Sequence, residues 1–289
     1  MQEVTVQVPA TSANLGPGYD CLGVALQIYN RVTVRRVGGV SPSSEAAGAS
    51  PMLEKAAGAF FEAANVPAFA FDWNIVGEVP RSRGMGSSVT VRLGILHGLN
   101  ELAGKPLSPD TLFQICAKLE GHPDNAAPAA FGGFTVASPD GSHVRFEVAP
   151  ELQFVLLIPD FEIATPDARR VMPETLPHKQ AVISAANACR ITAAFASSNY
   201  AMLRGAFTDF LHQPHRLPLI PFLNRTIEAA ENSGAIGGFL SGSGSTIACL
   251  ALGNAEAVGQ AMLAAADTPN ARILITRADN LGVQTLASE

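Results

Sequence analysis

A chain of 289 residues, at about 150 per domain, makes two domains or one large one. With 47% hydrophobic and 15% charged residues and a mean hydropathy of +0.21, the composition excludes a disordered polymer. Nineteen Lys and Arg against 25 Asp and Glu give a net charge of −6, so no overall basic field attracts a nucleic acid or an anionic membrane, and neither is an expected partner. Any anionic ligand must be held by a local device.

The elements follow from periodicity. Val4 to Val8 alternates as a strand before Pro9, and a turn-rich run is expected from Ala10 to Tyr19, with a second strand from Tyr29 to Arg36. Gly38 to Ser50 is small and polar and reads as a loose surface connection. Leu53, Ala56, Ala57, Phe60, Phe61 and Ala64 recur at three and four, predicting a helix over Pro51 to Asn65 that starts on a proline. A strand over Ala68 to Val76 follows. A glycine-serine run at Gly84 to Ser88 opens a helix to Leu102, and a further helix spans Pro109 to Leu119.

Strands are expected at Gly133 to Ala137, His143 to Val148 and Phe154 to Ile158, with a domain boundary between residues 150 and 151. The second half should hold helices at Lys179 to Leu203, Pro221 to Ser233 and Ala255 to Ala266, a strand pair within Gly237 to Leu250, and a strand at Ile273 to Arg277. Strands and helices without regular βαβ alternation indicate α+β layers. No GxGxxG, Walker A or GxSxG sequence occurs, and the four cysteines lie far apart with no CxxC pair. The first residues carry no basic segment followed by an apolar one, and a cytoplasmic location is expected.

Three runs carry chemistry. In Pro80, Arg81, Ser82, Arg83, Gly84, Met85, Gly86, Ser87 and Ser88, glycines let the main chain turn tightly before a helix whose free N–H groups form an anion cradle. The Ser87 and Ser88 hydroxyls could donate to phosphate or ligate Mg²⁺, though an ordinary capped helix start accounts for them equally well. In Glu120, His122, Asp124 and Asn125, polar side chains crowd a loop between a helix end and a Gly-rich segment. A helix stop with an Asx turn is the plain alternative, and alternating residues of one loop do not match helix-face zinc spacing. The third run, Ser241 to Thr246, is either a hairpin or a backbone partner of the first loop. His97, His143, His178, His212 and His215 read as structural or surface residues.

Taken together, these runs resemble the three motifs of the GHMP kinase superfamily. The stretch PATSANLGPGYDCLG from Pro9 to Gly23, the EGHPDN run, Thr165 to Pro173 and Asp209 to Arg216 are similar to its homoserine kinase branch. The resemblance implies a two-layer α+β fold with an N-terminal half like ribosomal protein S5 and a ferredoxin-like C-terminal half. It further implies that residues 1–150 bind nucleotide and that 151–289 contribute substrate arginines. By the same likeness, ATP is held by Pro80 to Ser88 with Gly242, Ser243 and Gly244, and Mg²⁺ by Ser88 and Glu120. Asn14, Asp20 and Asn125 should face L-homoserine, with Arg169 and Arg216 on its carboxylate. Asp124 and Asn125 are the candidate catalytic groups, Asn125 positioning the hydroxyl without an essential base.

Guanidinium forks match a carboxylate and Asp20 can accept from an ammonium group, which favours an amino acid over a sugar. A homodimer is compatible with the resemblance. Kinases for other small amino acids or alcohols, and a non-catalytic metabolite sensor on the same fold, are the alternatives. Three departures stand out: Met85 for the usual Leu, Val89 and Thr90 where small alanines are usual, and Arg92 where an apolar residue is common.

Overall fold

The computed structural model describes residues 2–38 and 50–286, so the connection expected from Gly38 to Ser50 lies almost wholly outside the described residues. The first half begins with β1 (Glu3–Ala13) and β2 (Leu22–Arg36), followed by α1 (Pro51–Ala64) and β3 (Phe71–Gly77). Then come α2 (Ser87–Leu102), α3 (Pro109–Glu120), α4 (Ala126–Phe131), β4 (Phe134–Ala137) and β5 (His143–Phe146). β2 is long enough to pair with three strands: β1 along its length, β3 at Asn30 to Arg36 and β4 at Leu22 to Val24.

β1 runs five residues beyond the expected Val8. A bulge between Pro9 and Ala10 carries it past the proline, and Ala10 to Ala13 are then buried on both faces. Without a wet face there is no alternation, so Ala10 to Ala13 are strand where the glycines and polar residues from Ala10 to Tyr19 predict a turn. β2 likewise starts at Leu22 instead of Tyr29, through Leu22 to Leu26, which are apolar and buried on both faces.

α2 lies across β1 and β2 at close range. A methyl group at Gly94 would stand 2.4 Å from Val32 Cγ2, and one at Gly98 would stand 2.4 Å from Val34 Cγ2. Those two glycines let the helix seat against the sheet, fixing where its N-terminus points.

The second half contains β6 (Gln153–Ile158), α5 (Thr165–Arg170), α6 (His178–Ala196), α7 (Gln213–Arg216) and α8 (Leu223–Asn232). It ends with β7 (Gly237–Leu240), β8 (Ile247–Ala251), α9 (Ala255–Ala266), β9 (Arg272–Arg277) and β10 (Gln284–Leu286). The second sheet is antiparallel in the order β7-β8-β6-β9, and β10 returns to pair with β1 in the first. The helix expected to reach Leu203 stops at Ala196; Ser198 adopts a left-handed conformation and a short 3₁₀ turn follows at Tyr200–Leu203.

The sheets share a core. Phe134 of β4 stacks on Phe195 of α6 with centroids 4.1 Å apart, worth about 0.5–1.5 kcal/mol beyond burial, and Leu26, Phe154, Leu156 and Phe239 pack in the same cluster. Among the described residues no helix is long and apolar enough to cross a membrane.

Candidate active site

The loop from Arg81 to Gly86 joins β3 to α2 and folds on left-handed residues: Ser82, Gly84 and Gly86 all have positive φ. At Gly86, the residue before α2, a methyl group would lie 2.1 Å from Thr11 Oγ1. At Gly84 it would lie 2.0 Å from the Ser241 carbonyl oxygen. Main chain therefore touches main chain, and the third run proves to be the loop's backing. Ser241 Oγ donates to the Gly84 carbonyl at 2.7 Å, and Thr246 N donates to the Arg83 carbonyl at 3.2 Å. Ser12 Oγ donates to Ser241 Oγ at 2.7 Å, bringing β1 into the same bracket.

With the loop pinned from behind, the first N–H groups of α2 face a cavity of about 520 Å³. Arg81 to Ser88 line it, as do Gly242 and Ser243; Pro80 and Gly244 lie outside its lining. Gly244 packs instead toward Ile220, Leu240 and Ile163. Arg83 is tethered sideways, donating from Nε to the Pro159 carbonyl at 2.9 Å and pairing with Glu162 at 3.3 Å.

At the helix start, Ser88 Oγ donates to Glu120 Oε2 at 3.0 Å. Glu120 is the last residue of α3, which stops because Gly121 turns left-handed. Its other oxygen accepts from Arg92 Nη1, one turn along α2. The unusual Arg92 thus neutralises a carboxylate that is 9% exposed. Thr90 is equally accounted for, donating to the Ser87 carbonyl and accepting from Asn30 Nδ2, each at 2.8 Å. The bulk at these positions is absorbed by side-chain partners.

Beyond Gly121 the chain crosses the cavity floor. Asp124 Oδ1 accepts from His122 Nδ1 at 2.5 Å and from the Asn125 amide at 2.9 Å. Asn125 Oδ1 accepts from Thr11 Oγ1 at 2.7 Å, which turns its NH₂ group toward Asp124 and the cavity. Burial opposes a charged His122, yet the hydrogen bond and charge of Asp124, with Asp20 beyond, outweigh it and raise the imidazole above its ordinary value. Ligand atoms of Asp20, His122 and Asp124 lie within 4.8 Å of one another; Glu120 is not in that group, so the spacing weighed for zinc is not what the fold assembles.

Across the cavity from the glycine loop stand the two arginines. Arg169, on α5, donates from Nη2 to Asp20 Oδ1 at 2.7 Å, and its side chain is 39% exposed. Arg216, on α7, is 2% exposed and donates from Nε to the Ala168 carbonyl at 3.2 Å and from Nη1 to the Gly242 carbonyl at 2.8 Å. Asn14 donates to the same Gly242 carbonyl at 2.9 Å and accepts from the Asp20 amide at 3.0 Å. Every substrate residue expected from the sequence, Asn14, Asp20, Asn125, Arg169 and Arg216, lines the one cavity.

Several residues escaped the sequence reading. Both guanidiniums lie over the Tyr19 ring, Arg169 Cζ at 5.6 Å and Arg216 Cζ at 5.4 Å from its centroid, and the ring stacks on His212. His212 is fully buried and contacts Arg216. Met52, Leu53 and Trp73 form an apolar end beside the loop. Tyr19 and His212 sit inside runs already singled out by sequence, whereas Trp73 carried no signal beyond being the sole tryptophan.

Comparison with known proteins gives the family and the fold. The models "GHMP kinases N terminal domain" and "GHMP kinases C terminal" match residues 51–133 and 191–268. A homoserine kinase from Caldicellulosiruptor bescii is 36% identical over 293 residues, covering 96% of this chain and 95% of the relative. One from a Synechococcus strain is 39% identical over 278 residues, covering 90% of each. Among solved structures, a homoserine kinase from Cytophaga hutchinsonii superposes with a TM-score of 0.89 at 24% identity, covering 99% of this chain and 98% of that one. A mevalonate kinase from Methanococcus jannaschii gives 0.71 at 14%, covering 94% and 97%. These structural likenesses speak to the fold, a mixed α/β arrangement of two sheet-containing halves. At such identity over nearly the whole of both sequences, the chain belongs to the homoserine kinase family of the GHMP kinases.

Proposed function

We propose that the chain transfers the γ-phosphoryl group of ATP to the side-chain hydroxyl of L-homoserine, giving O-phospho-L-homoserine and ADP. One observation carries the reading: a single cavity joins an amide-lined glycine loop to two arginines, one of them paired with an aspartate. The loop suits polyphosphate without a basic surface, in keeping with the net charge of −6. The apolar end with Met52, Leu53 and Trp73 suits the nucleotide base.

At the other end the groups sort by charge. Arg216 and Arg169 take a carboxylate, and Asp20, released from Arg169 in exchange, takes an ammonium group. Asn14 holds the Asp20 loop in place, while Asn125, its oxygen engaged by Thr11, offers N–H toward the acceptor hydroxyl. Phosphoryl transfer depends on positioning and charge stabilisation, so Asp124 acts by orienting His122 and Asn125 and is not required as a base.

The Ser88 hydroxyl and Glu120 carboxylate, adjacent at the helix start, form an oxygen-only donor pair that fits Mg²⁺. When bound there, the ion neutralises charge on the phosphates. We read residues 1–150 as the nucleotide half and 151–289 as the half supplying the arginines, with β10 crossing back to the first sheet. Four free cysteines accord with a reducing, cytoplasmic setting.

The test is ADP release from Mg-ATP with L-homoserine, L-threonine or mevalonate offered separately. Homoserine should give the highest kcat/KM. No ADP release with any acceptor, despite saturable homoserine binding, would make the protein a sensor instead of a kinase.

A further inference from the structure

We infer that His212 is a positioning residue, a neutral ring whose Nδ1 lone pair holds Arg216 in register for the substrate carboxylate; this rests on the homoserine reading above. The tautomer follows from two contacts. Nδ1 lies 3.2 Å from Arg216 Nη1, and a guanidinium has donors only, so that nitrogen must be bare. Nε2 lies 2.8 Å from the Gly16 carbonyl, an acceptor only, so that nitrogen carries the hydrogen. A donor at one ring nitrogen and an acceptor at the other thus demand a single neutral tautomer.

The ring is held still from every direction. Asp209 accepts from the amides of Leu211, His212 and Gln213 at 2.6, 3.0 and 2.8 Å, which fixes the turn carrying it. Tyr19 covers one face at a centroid distance of 5.4 Å. The neighbouring charges are Arg216, Asp209 and Asp124; burial and Arg216 hold the ring uncharged against the pull of both carboxylates. A cationic ring would aim an N–H at the guanidinium and push it from the cavity.

His212 also decides which part of Arg216 is left for a ligand. Nε is used by the Ala168 carbonyl, and Nη1 is shared between the Gly242 carbonyl and the imidazole. Nη2 takes no partner among the described residues, on a side chain that lines the cavity. With its other nitrogens anchored, the guanidinium cannot swing, and Nη2 is presented ready to bind.

Two isosteres separate this role from simple core filling. His212→Asn keeps an acceptor at the Nδ1 position and gives up the Gly16 bond; His212→Gln keeps a donor for Gly16 and gives up the acceptor. H212Q should raise the homoserine KM about tenfold with the ATP KM unchanged, and H212N should raise it by less than about threefold. Equal losses in both, or a shift in the ATP KM alongside, would overturn the inference. Should the wild type phosphorylate no homoserine, the activity reading falls on that result alone. The inference is then decided by ¹⁵N NMR of the wild-type ring at neutral pH: an Nε2–H imidazole upholds it, and an Nδ1–H or cationic ring overturns it.

Discussion

The two ends of the cavity are built from different material. The end we assign to the phosphates is main chain: amides at the start of α2, glycines at 84 and 86, and a second stretch of main chain from Ser241 to Thr246 pressed against the first. The end we assign to the substrate is side chain: Arg169, Arg216, Asp20, Asn14 and Tyr19, converging from three separate segments. The difference teaches where each end is fragile. A backbone site depends on the space around it and is indifferent to most side chains, whereas a side-chain site depends on the identity of each functional group.

The sharpest way to break the comparison is Gly84→Ala. The added methyl would meet the Ser241 carbonyl at 2.0 Å and the Gly244 amide nitrogen at 2.8 Å, and neither is the movable end of a side chain. With φ at +72° the backbone is also strained for an L residue. ADP release should fall by about 100-fold or more, and stability by about 3 kcal/mol or more. Next to it, Met85→Leu changes a residue that is 1% exposed yet conserves volume, and should cost less than about 1.5 kcal/mol. Initial rates and thermal melts of the two variants decide the matter; wild-type values for G84A would refute a backbone-built site.

At the other end the order reverses, and the functional group matters more than the space. Arg216→Leu should raise the homoserine KM about 100-fold while leaving the ATP KM in place, because a desolvated charge has no substitute. Arg169→Leu should raise it only about tenfold, since its side chain is 39% exposed and its charge already screened. Equal effects from the two would mean that burial does not grade the arginines.

Much of this division is legible in the sequence, and the physics says which part. Glycine-rich runs announce a backbone site because few other residues take those conformations, so the loop and its approximate partner at Ser241 to Thr246 can be read directly. The long helices α1, α2, α3 and α9 show their period and were found within a few residues. Elements of three to six residues, α4, α5, α7 and β10, are too short to show one. What sequence cannot supply is the encounter of distant segments. Tyr19 beside two guanidiniums, His212 against Arg216, and Arg92 on Glu120 exist only after folding.

Asp124→Asn sharpens the comparison at the floor shared by both ends. A general base contributes about 10²–10⁴ in rate, so a kcat within about tenfold of wild type leaves Asp124 an orienting group. A larger fall in kcat, with homoserine KM and melting temperature intact, would make it the base.

The smallest expected effect concerns a second histidine, half-buried but with one ring nitrogen cut off from solvent. His97, in the C-terminal half of α2, differs from His212 in that its Nε2 is buried without a hydrogen-bond partner among the described residues. Burial lowers its pKa to about 4, against the weaker upward pull of Glu101. Between pH 6.5 and 4 the unfolded chain therefore binds a proton that the folded chain refuses, so its contribution to stability is complete above pH 6.5 and is lost as pH falls through 4. His97→Leu removes that acid loss and the orphaned nitrogen together. Its melting temperature should exceed the wild type's by a margin that widens as pH drops from 7 toward 4.5. A margin constant across that range would show that the ring is already charged or solvated in the folded protein.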